Sequence, residues 1–128
     1  MRGDDAHVVA APEVPYITSE EFNQFIASAD GPTLVEFCVP VGCFRCDEMN
    51  PAINKLAEEN SGRMTARRVN LNTDRLLAAK WGVTVCPSYV VFFDGKEIGR
   101  HEYPTSSDLI AASLPAPTET APGEKQSF

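Results

Sequence analysis

The sequence predicts an α/β fold, a central mixed β-sheet flanked by helices. Three observations carry that prediction. Segments with helical and with strand periodicity alternate from residue 17 onward, as in folds that layer helices on a sheet. The run TLVEFCV at 33–39 is almost continuously apolar, which suits a strand covered on both faces. Two later strand-like runs are separated only by Asp94-Gly95, a dipeptide favoured in tight hairpins because both residues tolerate positive φ.

The first helix is expected in ITSEEFNQFIAS (17–28), where Thr18 and Glu21 have capping-box spacing and Phe22, Phe25 and Ile26 form an i, i+3, i+4 stripe. Asp30-Gly31-Pro32 breaks the chain before the apolar strand. From Cys43 to Asn60 the spacing is helical again, with Met49, Ile53 and Leu56 on one side and a kink expected at Pro51. MTARRVNLN (64–72) is the next strand, and TDRLLAAKWG (73–82) is a short helix stopped by Gly82. SYVVFF (88–93) and KEIGRHEY (96–103) form the hairpin, and SSDLIAASL (106–114) is a last helix ending before Pro115. Residues 15–114 are thus expected to form one domain after an N-terminal extension at 1–14. Residues 115–128, rich in Pro, Thr and Glu with little to bury, are expected to be a disordered tail.

Composition narrows the function classes. A chain of 128 residues with 43% hydrophobic content can form one cored domain without disulfide staples, and four cysteines are too few for a disulfide-dense scaffold. A net charge of -7 with only 11 Lys plus Arg argues against nucleic acid and anionic membranes as partners. No apolar run nears the roughly 18 residues of a membrane span, and MRGDDAHVVAAPEVP lacks the apolar stretch of a secretory signal. A cytoplasmic monomer is expected. Arg2-Gly3-Asp4 matches an adhesion motif over three residues only and carries no weight.

The chemistry is concentrated in cysteine. Three of the four fall within CVPVGCFRC (38–46), and the fourth, Cys86, stands directly before Pro87. Cys43 and Cys46 form a C-x-x-C pair where the buried strand meets a helix. At a helix N-terminus Cys43 faces unsatisfied backbone N–H groups and the positive end of the macrodipole, so it is expected to be a low-pKa nucleophile. Cys46, three residues on, returns to the same helical face and is the expected resolving thiol. A structural zinc half-site is the competing reading, but there is no second C-x-x-C, and neither His7 nor His101 has ligand spacing to the pair.

From residue 15 to about residue 114 the chain resembles the thioredoxin family. That family places one buried acid in the strand before the dithiol, and Glu36 in LVEF takes its place. Pro51 stands five residues after the second cysteine, where the family's helix kinks. Arg68 replaces a Lys near the buried acid, Asn70 matches an Asn, and Pro87-Ser88 aligns with the cis-proline loop that faces the dithiol. Spacings from Cys43 through Gly95 fit without a gap. The resemblance implies a thioredoxin fold and a thiol–disulfide oxidoreductase acting on protein disulfides, recharged by a dithiol or other electron-donor partner and needing no cofactor. It implies catalytic roles for Cys43, Cys46, Glu36 and Pro87, with Arg68 in support. A carboxylate in so apolar a strand is costly unless paired or protonated, which suits a proton acceptor for Cys46 compensated by Arg68. Trp81 and Tyr89 are read as core aromatics.

The chain departs from the family at the dithiol. The family's tryptophan-cysteine-glycine-proline-cysteine becomes GCFRC, with Gly42 in place of the tryptophan and Phe44-Arg45 between the thiols. Arg45 is expected to favour thiolate and so make the disulfide more oxidising. The missing tryptophan also leaves open a non-catalytic, redox-sensing module. Counted from Glu36, Cys38 falls where the family has a second tryptophan beside the active site; counted from Cys43, Val39 does. C-x4-C-x2-C with a distant fourth cysteine is the ligand spacing of plant-type 2Fe-2S proteins, and four thiolates also suit tetrahedral Zn or Fe. Cys38, Cys43, Cys46 and Cys86 are therefore expected to converge on one four-thiol site able to hold a 2Fe-2S cluster, Fe or Zn. Otherwise Cys38 and Cys86 are small buried apolar side chains.

Overall fold

Every residue of β1, Thr33–Cys38, is buried, and its place in the sheet explains why. The computed structural model describes residues 11–115. In it β1 lies between β2 (Thr65–Asn70) and β3 (Ser88–Phe93), with β4 (Lys96–Glu102) outside β3, so the order is β2-β1-β3-β4. β1 runs parallel to β2 and antiparallel to β3, and β3 is antiparallel to β4. An interior strand of this kind has both faces covered, which accounts for its unbroken apolar run.

The alternation of side chains then divides the core in two. Leu34, Ala66, Tyr89 and Val91 pack with Met49, Ile53 and Leu56 of α2 (Phe44–Glu59) and Ile110 of α4 (Ser107–Ser113). Val35, Phe37, Val69, Val90 and Phe92 pack on the other face, against Phe22 and Ile26 of α1 (Ser19–Ser28) and Leu77 and Ala78 of α3 (Arg75–Lys80). Trp81 joins that second layer, edge-on to Phe92 at 5.0 Å between ring centroids. The result is a three-layer α/β/α sandwich with a mixed sheet, as the sequence predicts.

The elements end where local chemistry stops them. The Glu21 carboxylate accepts the Thr18 backbone N–H at 2.9 Å, completing the capping box of α1. Asp94 and Gly95 have φ of 58° and 78°, the conformation a two-residue hairpin needs. β2 stops at Asn70, whose side-chain oxygen accepts the Asn72 N–H at 2.8 Å and turns the chain. β4 stops before Tyr103, which has φ 48°. α2 runs from Phe44 to Glu59 through Pro51, which has no N–H to offer the Asp47 carbonyl. Among the described residues no helix is long and apolar enough to cross a membrane.

Two features of this topology position the site. The C-terminal end of β1 leads through residues 39–42 into the N-terminus of α2. Because β3 is antiparallel to β1, with Phe37 opposite Ser88, the loop before β3 returns to that same end of the sheet.

Candidate active site

The register sets a buried polar row across three strands. Glu36 is opposite Arg68 on β2 and opposite Tyr89 on β3. The Arg68 Nε–H donates to Glu36 Oε1, and the Tyr89 hydroxyl donates to Oε2 at 2.5 Å. Glu36 is 1% exposed and Arg68 4%, so this is a buried ion pair with both carboxylate oxygens engaged. Arg68 donates further to Glu13 Oε1 at 3.0 Å, the Val14 carbonyl at 3.2 Å and Asn54 Oδ1 at 3.2 Å. Burial alone would lower the Arg68 pKa, but the carboxylates of Glu36 and Glu13 outweigh it and the net direction is upward. Burial and the Glu36 charge push the Tyr89 phenol up, which keeps it a hydrogen-bond donor.

Tyr89, Glu13 and Asn54 are contacts that the sequence reading missed. A signal existed for two of them: a tyrosine hydroxyl or an asparagine amide buried on an apolar face must find a partner. Nothing in the sequence marks Glu13.

Cys43 is the N-cap of α2, and its sulfur accepts the Cys46 backbone N–H at 3.3 Å. The contact with the helix N-terminus is therefore made, but the expected low pKa is not. Cys43 is only 9% exposed; burial raises its pKa, and the single N–H does not offset that. The Cys46 thiol is pushed up by contact with the Cys38 thiol and by burial. Cys86 is pushed up by burial and then by contacts with Cys43 and Cys46.

These directions fix a pH dependence for the reduced protein. The three thiols hold their protons to higher pH when folded than when unfolded. Their stabilising contribution is complete below the ordinary thiol pKa of about 8.5 and is lost as pH rises beyond it, because the unfolded chain gives up its thiol protons first. In the presence of a reductant the melting temperature is expected to fall between about pH 8 and about pH 10. A melting temperature that holds or rises across that interval would contradict the buried-thiol arrangement.

The sulfurs of Cys38, Cys46 and Cys86 all lie within 4.8 Å of one another, and Cys46 and Cys86 are in contact at 3.2 Å. Val39 packs around the group without replacing Cys38 in it. Cys43 adjoins the cluster but stands outside the three-sulfur set. All four cysteines thus gather at one place, with three of the sulfurs forming the tightest set. The reason is local: as N-cap, Cys43 turns its sulfur to the helix N–H groups, while Cys46, one turn in, faces the sheet. Around one metal ion with bonds of about 2.3 Å, sulfurs stand roughly 4 Å apart. The three thiols suit a thiophilic ion in kind, with Cys46 and Cys86 having to spread, and Cys43 would have to turn toward them to supply a fourth ligand.

The remaining site residues are placed as follows. The Cys86-Pro87 peptide is cis. Arg45 pairs with Glu48 at 3.2 Å, and its guanidinium lies 5.0 Å from the Tyr103 ring centroid; its charge goes to a carboxylate and a ring face. Gly42 has φ 99°, a conformation costly for any side chain, so a tryptophan there would be strained. Val41 and Phe44, 82% and 75% exposed, flank Cys43 instead. On the other side a cavity of roughly 260 Å³ is lined by Cys38, Cys46, Tyr16, Asp47 and Arg68 among others.

Comparison with known proteins agrees with this geometry. The thioredoxin family model matches residues 13–115. Thioredoxin 1 of Nostoc sp. (strain PCC 7120) is 24% identical over 109 residues, covering 85% of this chain and 92% of that protein. Thioredoxin of Pseudomonas aeruginosa is 27% identical over 100 residues, 78% and 92% respectively. Chloroplastic Thioredoxin M4 of Arabidopsis thaliana is 28% identical over 88 residues, and the match spans 69% of this chain but only 45% of that relative. The solved structure of a mutant thioredoxin from Halobacterium salinarum NRC-1 has the same fold, with a TM-score of 0.70 at 22% identity over 83% of this chain and 92% of that one. A family match of this extent, on a chain with this sheet order, makes the protein a member of the thioredoxin family, a family of protein-disulfide oxidoreductases.

Proposed function

We propose that the protein reduces or exchanges protein disulfides through the Cys43-Cys46 couple. The observation that carries this reading is the seating of the pair: Cys43 caps α2 with its sulfur on the Cys46 N–H, and Cys46 stands one turn further in. Cys43 attacks one sulfur of a substrate disulfide and the other leaves as a thiolate. Cys46 then attacks the Cys43 sulfur, releasing the second substrate thiol and leaving a Cys43-Cys46 disulfide. Two electrons pass to the substrate, and a dithiol or other electron donor restores the pair.

The surroundings support that sequence. Val41 and Phe44 give the substrate an apolar surface beside Cys43, in place of the tryptophan that Gly42 excludes. The backbone around Pro87 receives the substrate chain. Glu36 lies on the same face of β1 as Cys38, and its partner Arg68 lines the cavity that Cys46 lines. This supports Glu36 as proton acceptor for Cys46 in the resolving step, with Arg68 as its counter-charge. Arg45 orients the first turn of α2 through Glu48. Equilibration in glutathione buffers, acid quenching, alkylation and peptide mapping test the couple. A Cys43-Cys46 link that varies with the buffer as a two-electron couple is expected; absence of that link at every potential would overturn the reading.

The three-sulfur group carries a second reading, in which Cys38, Cys46 and Cys86 hold a thiophilic metal ion when reduced. On this reading, protein purified without oxygen carries about one metal ion per chain, released when any of the three is replaced by serine. Metal-free protein that takes up neither zinc nor iron on reconstitution would end it.

A further inference from the structure

Resting on the dithiol reading, we propose that Cys86 is a second disulfide partner of Cys46, so that the oxidised protein can pass its disulfide from Cys43-Cys46 to Cys46-Cys86. The Cys46 and Cys86 sulfurs are 3.2 Å apart. A disulfide holds its sulfurs at about 2.05 Å, so closure needs a movement of roughly 1 Å, within reach of two side-chain rotations. Both residues are held where they are by backbone structure. Cys46 belongs to the first turn of α2. Cys86 sits in a loop tied by the Ser88 hydroxyl donating to the Val85 carbonyl at 2.7 Å and anchored by the pairing of Ser88 with Phe37. Cys38 is less suited, because its thiol is aimed at the Val39 carbonyl at 3.5 Å.

The exchange balances within the molecule. The Cys86 thiolate attacks the Cys46 sulfur, the Cys46-Cys86 bond forms, and the Cys43-Cys46 bond breaks. The electron pair leaves on Cys43, which takes up the proton that Cys86 gave. No electrons enter or leave. In the new isomer Cys43 is a thiol again but its resolving partner is engaged. Turnover pauses there until Cys43 attacks Cys46 in reverse.

Cys43→Ser isolates this step. Trypsin separates the three thiols of this variant, because Cys46 lies in the peptide 46–55, Cys86 in 81–96 and Cys38 in the peptide ending at Arg45; in wild type Cys43 shares the Cys38 peptide, and fragment ions assign the linked sulfur. The full-length variant is oxidised with diamide, quenched in acid, unfolded, alkylated, digested and analysed by mass spectrometry. Most monomer is expected to carry 46–55 joined to 81–96, with Cys38 alkylated. Wild type treated alike is expected to carry that link alongside Cys43-Cys46, and Cys86→Ser only the latter. Monomeric Cys43→Ser that links Cys38 instead, or in which all three thiols are alkylated, would overturn the proposal. The wild-type map decides the matter should the variant lose its circular-dichroism signature of folding: a Cys43-Cys46 link without any Cys46-Cys86 link rejects Cys86 while sparing the dithiol reading, and loss of the Cys43-Cys46 link rejects the dithiol reading itself.

Discussion

Replacement of Glu36 by alanine is expected to destabilise the protein by about 3–5 kcal/mol, the usual cost of removing one member of a buried ion pair. Arg68 is 4% exposed and would keep its charge with only Glu13, itself on the surface, and neutral acceptors for company. The Tyr89 hydroxyl would also lose its acceptor. Glu36→Gln retains the volume and an oxygen for Tyr89, so its cost should be clearly smaller while the resolving step slows. Urea unfolding of both variants measures the difference. A loss below about 1 kcal/mol for Glu36→Ala would mean that Glu13 and Asn54 suffice to compensate Arg68.

Replacement of Cys43 by serine is expected to reduce the catalysed reduction of a protein disulfide at least about a thousandfold, since the attacking sulfur is removed and nothing else in the mechanism substitutes for it. In wild type the rate should climb as pH rises above neutrality, because burial holds the Cys43 thiol above its ordinary pKa and only the thiolate attacks. An insulin-reduction assay driven by dithiothreitol, run across pH on both proteins, reports both effects. Substantial activity in Cys43→Ser would move the nucleophile elsewhere in the thiol cluster.

What the sequence discloses about this molecule follows the range of each interaction. The elements are legible because their signals are local: the stripe of Phe22 and Ile26, the Asp94-Gly95 turn, and Gly82 closing α3 at φ 69°. Glu36 is legible because a lone charge in TLVEFCV demands a partner, and Arg68 supplies it across the β1-β2 register. Cys86 beside the dithiol follows from its place before Pro87. The parts that do not show depend on side-chain direction and on contacts between distant segments. Spacing can bring four cysteines to one end of the sheet, but cannot say that Cys38, Cys46 and Cys86 form the tightest set while Cys43, as N-cap, takes the Cys46 N–H. A helix N-terminus argues for a thiolate, yet burial acts in the opposite direction, and the burial of Cys43 follows from the packing of distant segments. Arg45 and Glu48 have i, i+3 spacing, so their pairing is readable as a claim on the arginine charge.

On the proposed mechanism Cys43 attacks and Cys46 resolves. Cys46→Ser tests it most directly: mixed with a disulfide-bonded protein substrate, quenched in acid and alkylated, the variant should accumulate a mixed disulfide joining the substrate to Cys43, stable until reductant is added. A mixed disulfide on Cys38 or Cys86 in its place, or none under conditions where wild type reduces the same substrate, would contradict the account.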